Sequence, residues 1–207
     1  RHHSPEFTML EWYRTGTDYR GIMEETEQLV GRLAEALGPR SQSLCFPFGR
    51  MTVAELYGKY AGWNPVKGWD EERYFRDWAE KIEPELSGLG AFFLMDFPSP
   101  LAALSRIKQA EPLICERFEL FINGLEIGNA YSELMDYDEH VRRFEHAAEA
   151  RRAMGRQPYP PDEGFLESIR MGLPPCGGMA VGVDRLIMAL LGLDHINLVQ
   201  AFPAERL

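Results

Sequence analysis

Glu119, Glu126, Asn129, Tyr131 and Glu133 fall within one stretch, CERFELFINGLEIGNAYSELMD, running from Cys115 to Asp136. Carboxylates on one face of a sheet repel each other, and a divalent cation held between them removes that cost. Glu119 and Glu126 are thus a candidate ion site; the bland alternative is a half-exposed strand carrying solvated acids. Glu11 and Tyr13 form a second group, alternating along the strand-like run EFTMLEWY. A carboxylate and a phenol beside aromatics suit recognition of an amine, and a wet edge strand is the alternative. Third is Arg185, in the first turn of the apolar run ending LIMALLG. The helix macrodipole disfavours a cation there. Stacking on a nucleobase while forking onto a phosphate gives a guanidinium a reason to accept that position. A buried ion pair with Asp184 or a distant acid would also explain it. Gly177, Gly178 and Gly182 leave little side chain over the strand before it, so a flat ligand can lie close to the backbone. Neither a Walker A loop nor a GxGxxG loop is present.

These groups need elements to position them. Asn123-Gly124 between apolar runs predicts a hairpin with a two-residue type I′ turn, because both turn positions require positive φ. Pairing Ile122 with Leu125 sets Phe121 opposite Glu126, with Glu119 one diagonal step away. Asn129, Tyr131 and Glu133 share a face by the two-residue period, but their odd numbering puts them on the side opposite Glu126. A bulge near Gly128 corrects the phase and brings all five polar groups to one pocket.

The rest of the chain reads as alternating helices and strands. Asp18–Leu37 is an amphipathic helix with Ile22, Thr26, Leu29, Val30, Leu33 and Leu37 inward and Glu24, Glu25, Glu27 and Glu35 solvated. Pro47–Arg50 reads as a loop, and Thr52 with Glu55 as a capping box for a short helix to Tyr60. Asp70–Ile82 reads as a helix with Tyr74, Phe75, Trp78 and Ile82 inward. Ala91–Phe97 is a buried strand, and Ser99-Pro100 opens a helix to Lys108. Asp136 and Glu139 start a long polar helix with Val141, Phe144 and Ala148 inward, and Asp162–Met171 is a further helix.

With 207 residues, 45% of them hydrophobic, the chain can bury a sizeable core as one domain. Its net charge of −10 argues against a broad nucleic-acid-binding surface. The three cysteines are widely spaced with no CxxC pair, which fits a reducing compartment and gives no zinc site. His2 and His3 make no metal motif. No apolar run is long enough to span a bilayer, so the expectation is a soluble, cytoplasmic protein.

Three stretches together resemble the catalytic domain of class II aminoacyl-tRNA synthetases, lysyl branch. HHSPEFTMLEWY (His2–Tyr13) is similar to the second half of motif 2, RFELFINGLEIGNAYSEL (Arg117–Leu134) to the lysine- and magnesium-binding hairpin, and GLPPCGGMAVGVDRLIM (Gly172–Met188) to motif 3. Within that branch the likeness is closer to the synthetase paralogs that attach lysine or β-lysine to elongation factor P. EWYR ends the motif 2 stretch as in those paralogs, Cys176 matches a cysteine there, and Ala180 stands where the synthetases usually have glycine. Ser4 departs from the family's usual asparagine.

The resemblance implies an α+β fold: an antiparallel sheet flanked by helices, with the active site on its open face. It implies activation of an amino acid by ATP with Mg2+ as cofactor. Catalysis would rest on Arg185, Glu119 and Glu126, with Glu119 and Glu126 holding the metal. His3, Ser4, Glu6, Phe7, Glu126, Ile127, Gly182 and Arg185 would bind ATP, Phe7 and Arg185 sandwiching the adenine. Glu11, Tyr13, Asn129, Tyr131, Glu133 and Ala180 would bind lysine or β-lysine, with Glu133 on its ε-ammonium. The acceptor would be elongation factor P, or tRNA if the chain is instead part of a lysyl-tRNA synthetase. A silent synthetase-like module that binds a nucleotide or partner protein is the reading from another class. The resemblance also implies a homodimer built through motif 1, a segment expected to precede this chain, together with the motif 2 strand arginine. Residues 1–207 are then a single partial catalytic domain without an anticodon-binding domain, and Arg1 is a candidate contact to the γ-phosphate.

Overall fold

A computed structural model describes residues 2–203; Arg1 and its candidate phosphate contact lie outside the described residues, as do residues 204–207. Six strands form one sheet: β1 (Met9–Thr15), β2 (Gly49–Thr52), β3 (Ala91–Pro98), β4 (Ile114–Ile122), β5 (Leu125–Ser132) and β6 (Cys176–Gly182). Their order is β1-β6-β5-β4-β3-β2. Every pairing is antiparallel except β2 with β3, which run parallel. The sheet is therefore mixed rather than purely antiparallel, and residues 49–52, of which Gly49 and Arg50 were expected in a loop, form its edge.

The helices are α1 (Tyr19–Leu37), α2 (Val53–Tyr60), α3 (Glu71–Asp77), α4 (Tyr137–Ala153), α5 (Glu163–Arg170) and α6 (Val183–Leu191). Several begin where the sequence supplies an oxygen cap. Asp18 accepts from Arg20 N and Gly21 N, Asp136 from Glu139 N, Asp162 from Phe165 N, and Thr52 forms a full capping box with Glu55.

Two cores lie on opposite faces of the sheet. On one face α1 and α6 cover Phe93, Phe118, Leu120, Ala130, Met179 and Val181 with Ile22, Met23, Val30, Leu186 and Leu190. On the other, α2, α3 and the turns after it cover Phe92, Leu94, Phe97, Cys115 and Phe121 with Leu56, Tyr57, Tyr74, Ile82 and Leu86. This second cover extends over β2, β3 and β4 only. The same face of β5, β6 and β1 stays open.

Some local expectations fail for identifiable reasons. No helix spans 99–108: a 3-10 turn at Ser99–Leu101 is followed by an extended segment. Arg106 N donates to Ser132 O at 2.8 Å and Lys108 N to Ile114 O at 2.8 Å, so tertiary pairing captures backbone that a helix would have used. The helix after Asp70 ends at Asp77 and continues as a π turn (Trp78–Ile82) and a 3-10 stretch (Glu83–Leu89). The change of winding keeps Ile82 and Leu86 inward and leaves Phe75 exposed. In α1 Leu33 faces solvent, while Glu25 takes Arg14 and Trp12, and Glu27 takes the Phe48 amide. In α4 only His140 is fully buried, with Val141, Phe144 and Ala148 half-buried. The first strand starts at Met9 rather than Glu6.

Candidate active site

The hairpin of β4 and β5 turns at Asn123 (φ 50°) and Gly124 (φ 82°), as the dipeptide requires. Ile122 pairs with Leu125 and Phe121 with Glu126, and then the register shifts so that Leu120 pairs with Gly128 and Glu119 with Asn129. Ile127 is the extra residue of the bulge, its side chain in the core behind the sheet. Gly128 is required beside it: a Cβ there would lie 2.4 Å from Ala180 O. The bulge puts Glu119, Glu126, Asn129 and Tyr131 on one face.

Cross-strand pairing extends that face. Asn129 pairs with Ala180, which pairs with Glu11; Tyr131 pairs with Gly178, which pairs with Tyr13; Gly182 pairs with Met9. All stand on the open half of the sheet. Gly178 makes room for two of these side chains, since a Cβ there would sit 2.5 Å from Glu133 Oε1 and 2.8 Å from the Tyr13 ring. Glu133 thus closes the Tyr13–Tyr131 end of the face.

At the other end lies a cavity of about 250 Å³ whose lining includes His3, Ser4, Phe7, Glu126, Ile127, Asn129, Ala180, Gly182 and Arg185. Arg185 reaches into it: Nη1 donates to Glu126 O at 3.0 Å and Nε to His2 O at 3.2 Å, with Nη2 3.1 Å from His3 Nδ1. Asp184 is not its partner, because Asp184 Oδ2 accepts from Thr8 N at 2.9 Å. The nearest carboxylate to Arg185 is Glu126, at 4.0 Å. The guanidinium plane therefore lines the same space as the exposed Phe7 ring, which suits a flat ring held between them.

The electrostatics divide the site in two. Glu119 is buried, and desolvation raises its carboxyl to about 7; Arg117 opposes that rise and Glu126 adds to it. Glu133 is likewise raised to about 7, wholly by burial. Among the described residues no cation pairs with Glu133, and its charge in turn raises Tyr13 and Cys176 after their own desolvation. Such a carboxylate is set to receive an ammonium from outside the protein. Glu119 and Glu126 offer hard oxygen donors next to the cavity, the kind of pair that holds Mg2+ when substrate phosphates complete its shell. No group of three or more His, Cys, Asp or Glu side chains suited to a metal occurs among the described residues, so a cation held by this pair would take its remaining ligands from substrate or water.

The five hairpin groups share a face but not one cavity: Glu126 and Asn129 line the enclosed space, whereas Tyr131 and Glu133 stand at the far end. Glu6 lies outside it and offers only its carbonyl, to Gln200 Nε2 at 3.0 Å. Gly177 packs behind the sheet, where a Cβ would meet Ile22 at 2.6 Å and Asp18 O at 3.0 Å, so it serves α1 rather than a ligand. Sequence reasoning missed Arg117, which touches both Glu119 and Asn129. The signal was there: a cation two residues before Glu119 on the same strand must share its face.

The sequence profile of the tRNA synthetases class II (D, K and N) matches residues 1–206. The chain belongs to this family. It is 35% identical over 230 residues to the elongation factor P--(R)-beta-lysine ligase of Vibrio cholerae serotype O1, covering all of this chain and 68% of that protein. It is 36% identical to the same-named ligase of Vibrio campbellii, covering 98% of this chain and 67% of the relative. It is also 35% identical to a lysine--tRNA ligase of Azoarcus sp., covering 99% of this chain and 46% of that enzyme. The α+β sheet with its open face is thus that of a class II synthetase domain, and the relatives on both sides are ligases. Among the described residues no helix is long and apolar enough to cross a membrane.

Proposed function

We propose that this chain is the larger part of the catalytic domain of an ATP-dependent ligase that activates lysine or β-lysine and transfers it to a lysine of elongation factor P. The observation that carries the proposal is Glu133, a half-buried carboxylate that no cation among the described residues pairs with, at one end of a face whose other end is the Phe7–Arg185 cavity. A ligand with an ammonium at one end and an adenylate at the other matches that separation of charges.

In this reading Phe7 and Arg185 hold adenine, and Ser4, Ile127 and Gly182 border the nucleotide. Glu11, Tyr13, Asn129, Tyr131 and Ala180 shape the amino-acid end, and Glu133 receives its ammonium. The amino-acid carboxylate attacks the α-phosphorus, the bond to the bridging oxygen breaks, and pyrophosphate leaves with the electron pair. Little covalent chemistry is asked of side chains, so their work is alignment and charge neutralisation. Mg2+ held by Glu119 and Glu126 would supply charge neutralisation on the phosphates. The transfer step then forms an amide with the acceptor lysine and releases AMP. We further propose a homodimer working in the cytoplasm, by likeness to the family.

ATP–pyrophosphate exchange by the full-length protein, with lysine and β-lysine compared, tests activation; absence of exchange with both sinks the reading. Transfer assays with elongation factor P and with tRNA test the acceptor. A lysine--tRNA ligase is the second reading, supported by the Azoarcus relative, and transfer to tRNA alone would establish it.

A further inference from the structure

We infer that Arg117 is a positioning residue that fixes the orientation of the Asn129 amide so that its NH2 group faces the amino-acid carboxylate. Three acceptors converge on the guanidinium: Nε donates to Asn129 Oδ1 at 3.2 Å, Nη1 to Leu101 O at 2.9 Å and Nη2 to Glu119 Oε1 at 2.6 Å. Its plane is also held from the side, with its central carbon 4.5 Å from the Phe97 ring centroid and 5.9 Å from that of Tyr131. Arg117 is itself largely buried, so these contacts are made out of bulk water.

The chemical consequence follows from the donor inventory. A guanidinium only donates, so the end of the Asn129 amide turned toward Arg117 must be its oxygen. That leaves the nitrogen, with two hydrogens, for the opposite side, and among the described residues no protein group accepts from it. Asn129 lines the cavity, so those hydrogens are presented to whatever occupies it. A donor there suits an anionic oxygen, and the reversed amide would repel one. Arg117 also occupies only one oxygen of Glu119, leaving the second available on the ion side. One side chain thus sets the polarity of a substrate contact and the direction of a carboxylate. Neither cross-strand neighbour sets the polarity of Asn129: Ala180 has no polar side chain, and among the described residues Glu119 makes no hydrogen bond to the Asn129 amide.

This inference rests on the proposed activation of lysine or β-lysine, and its test separates the two. The full-length protein is assayed by ATP–pyrophosphate exchange, with cadaverine, which is lysine without its carboxylate, as a competitive inhibitor. If the unmodified protein exchanges with neither amino acid, the functional reading fails. If it exchanges, Arg117→Lys keeps the charge but cannot hold three acceptors in one plane. The expected result is a KM for the amino acid raised about tenfold, with cadaverine inhibition within about twofold of the unmodified protein. A parallel loss for cadaverine shows a merely structural role and overturns the inference, as does an unchanged amino-acid KM. Should Arg117→Lys fold poorly by thermal melting, Asn129→Ala carries the same comparison. It should lower affinity for lysine without lowering affinity for cadaverine, and equal losses for both overturn the assignment. In a double-mutant cycle, adding Arg117→Lys to Asn129→Ala should cost no further carboxylate discrimination.

Discussion

One face of the sheet is two different surfaces. Over β2, β3 and β4 it carries Phe92, Leu94, Phe97, Cys115 and Phe121, closed by α2, α3 and the turns that follow. Over β5, β6 and β1 it carries Asn129, Tyr131, Ala180, Gly178, Glu11 and Tyr13, and Glu11 and Tyr13 are exposed. The boundary runs along β4, where Arg117 and Glu119 occupy the same face as Cys115 and Phe121. That position explains why Glu119 is both buried and functional. It stands beside Leu94, which is completely buried, yet pairs across to Asn129 at the cavity wall. The covered half supplies low dielectric and rigidity; the open half spends polar groups on a ligand. The two halves should therefore respond differently to substitution, one through folding and the other through binding.

The largest effect is expected in the covered half. Phe121 stacks on Phe92 with ring centroids 5.4 Å apart and packs against Trp78. Phe121→Ala should destabilise the protein by about 3–5 kcal/mol through lost burial and the cavity left behind. Chemical denaturation read by circular dichroism measures it, and an unchanged midpoint contradicts the assignment of this half as core.

Next comes the open half. Glu133→Ala should not lower stability, because it removes a carboxylate whose ionised form the fold disfavours. It should weaken use of the amino acid by about 2–5 kcal/mol, because the substrate ammonium loses its partner. Exchange kinetics at varied lysine check it, and unaltered lysine dependence removes Glu133 from the site. The pH dependence follows the same group. Its folded value of about 7 lies above the ordinary carboxylate value of 4.5, so the folded state binds the proton more tightly than the unfolded chain. Glu133 then costs stability as pH rises from about 4.5 through 7, and Glu119 acts in the same direction. A lysine ammonium offsets that cost only where Glu133 is ionised. Added lysine should thus raise the melting temperature more at pH 8 than at pH 5.5; the reverse order breaks the pairing. Tyr13, Tyr131 and Cys176, the titratable groups that neighbour Glu133, are all raised by burial and supply no competing cation.

Neighbouring glycines on β6 sharpen the comparison. Gly177 and Gly178 differ by one position and so face opposite sides of the sheet. A methyl at Gly177 meets α1, whereas one at Gly178 meets Glu133 and Tyr13. Gly177→Ala should lower stability by about 1–3 kcal/mol with little change in KM for a folded sample. Gly178→Ala should raise the amino-acid KM, by about tenfold, through displacement of Glu133. Equal behaviour of the two variants would contradict the division of faces.

How much of this was legible in the sequence depended on whether local chemistry or distant packing decided the outcome. The hairpin register and its bulge were readable because Asn123-Gly124 fixes the turn and Glu126 against Asn129 fixes the phase problem that only an extra residue can solve. The capping box at Thr52 and the cap at Asp136 were readable for the same local reason. The parallel strand at Gly49–Thr52 was not, since four residues carry no alternation long enough to count. The segment after Ser99 misled, because its helix-start signal lost to pairing with β4 and β5. At the site, residue types and spacing placed Glu119, Glu126, Asn129, Tyr131 and Glu133 on one face once a bulge was allowed, whereas only the family resemblance joined Arg185 to them. They did not reveal that the face is divided into a cavity and an ammonium end, because that division depends on where the α2–α3 cover stops.

The smallest predicted effect tests that cover. Thr52 Oγ1 accepts from Glu55 N at 3.1 Å, and Glu55 Oε2 accepts from Thr52 N at 2.8 Å, so the box secures the first turn of α2. The bond from Thr52 N, with a second from Thr52 Oγ1 to Glu55 Oε2 at 2.8 Å, holds the Glu55 carboxyl below its usual range. Thr52→Ala should cost about 1 kcal/mol of stability. Val53, Leu56 and Tyr57 of α2 pack on the covered half and none of them lines the cavity, so the amino-acid and ATP KM values of the folded variant should not move. If they do move, the cover and the open face are coupled through β4, and Arg117, which bridges Leu101 O on one side and Asn129 on the other, is the side chain that would carry the coupling.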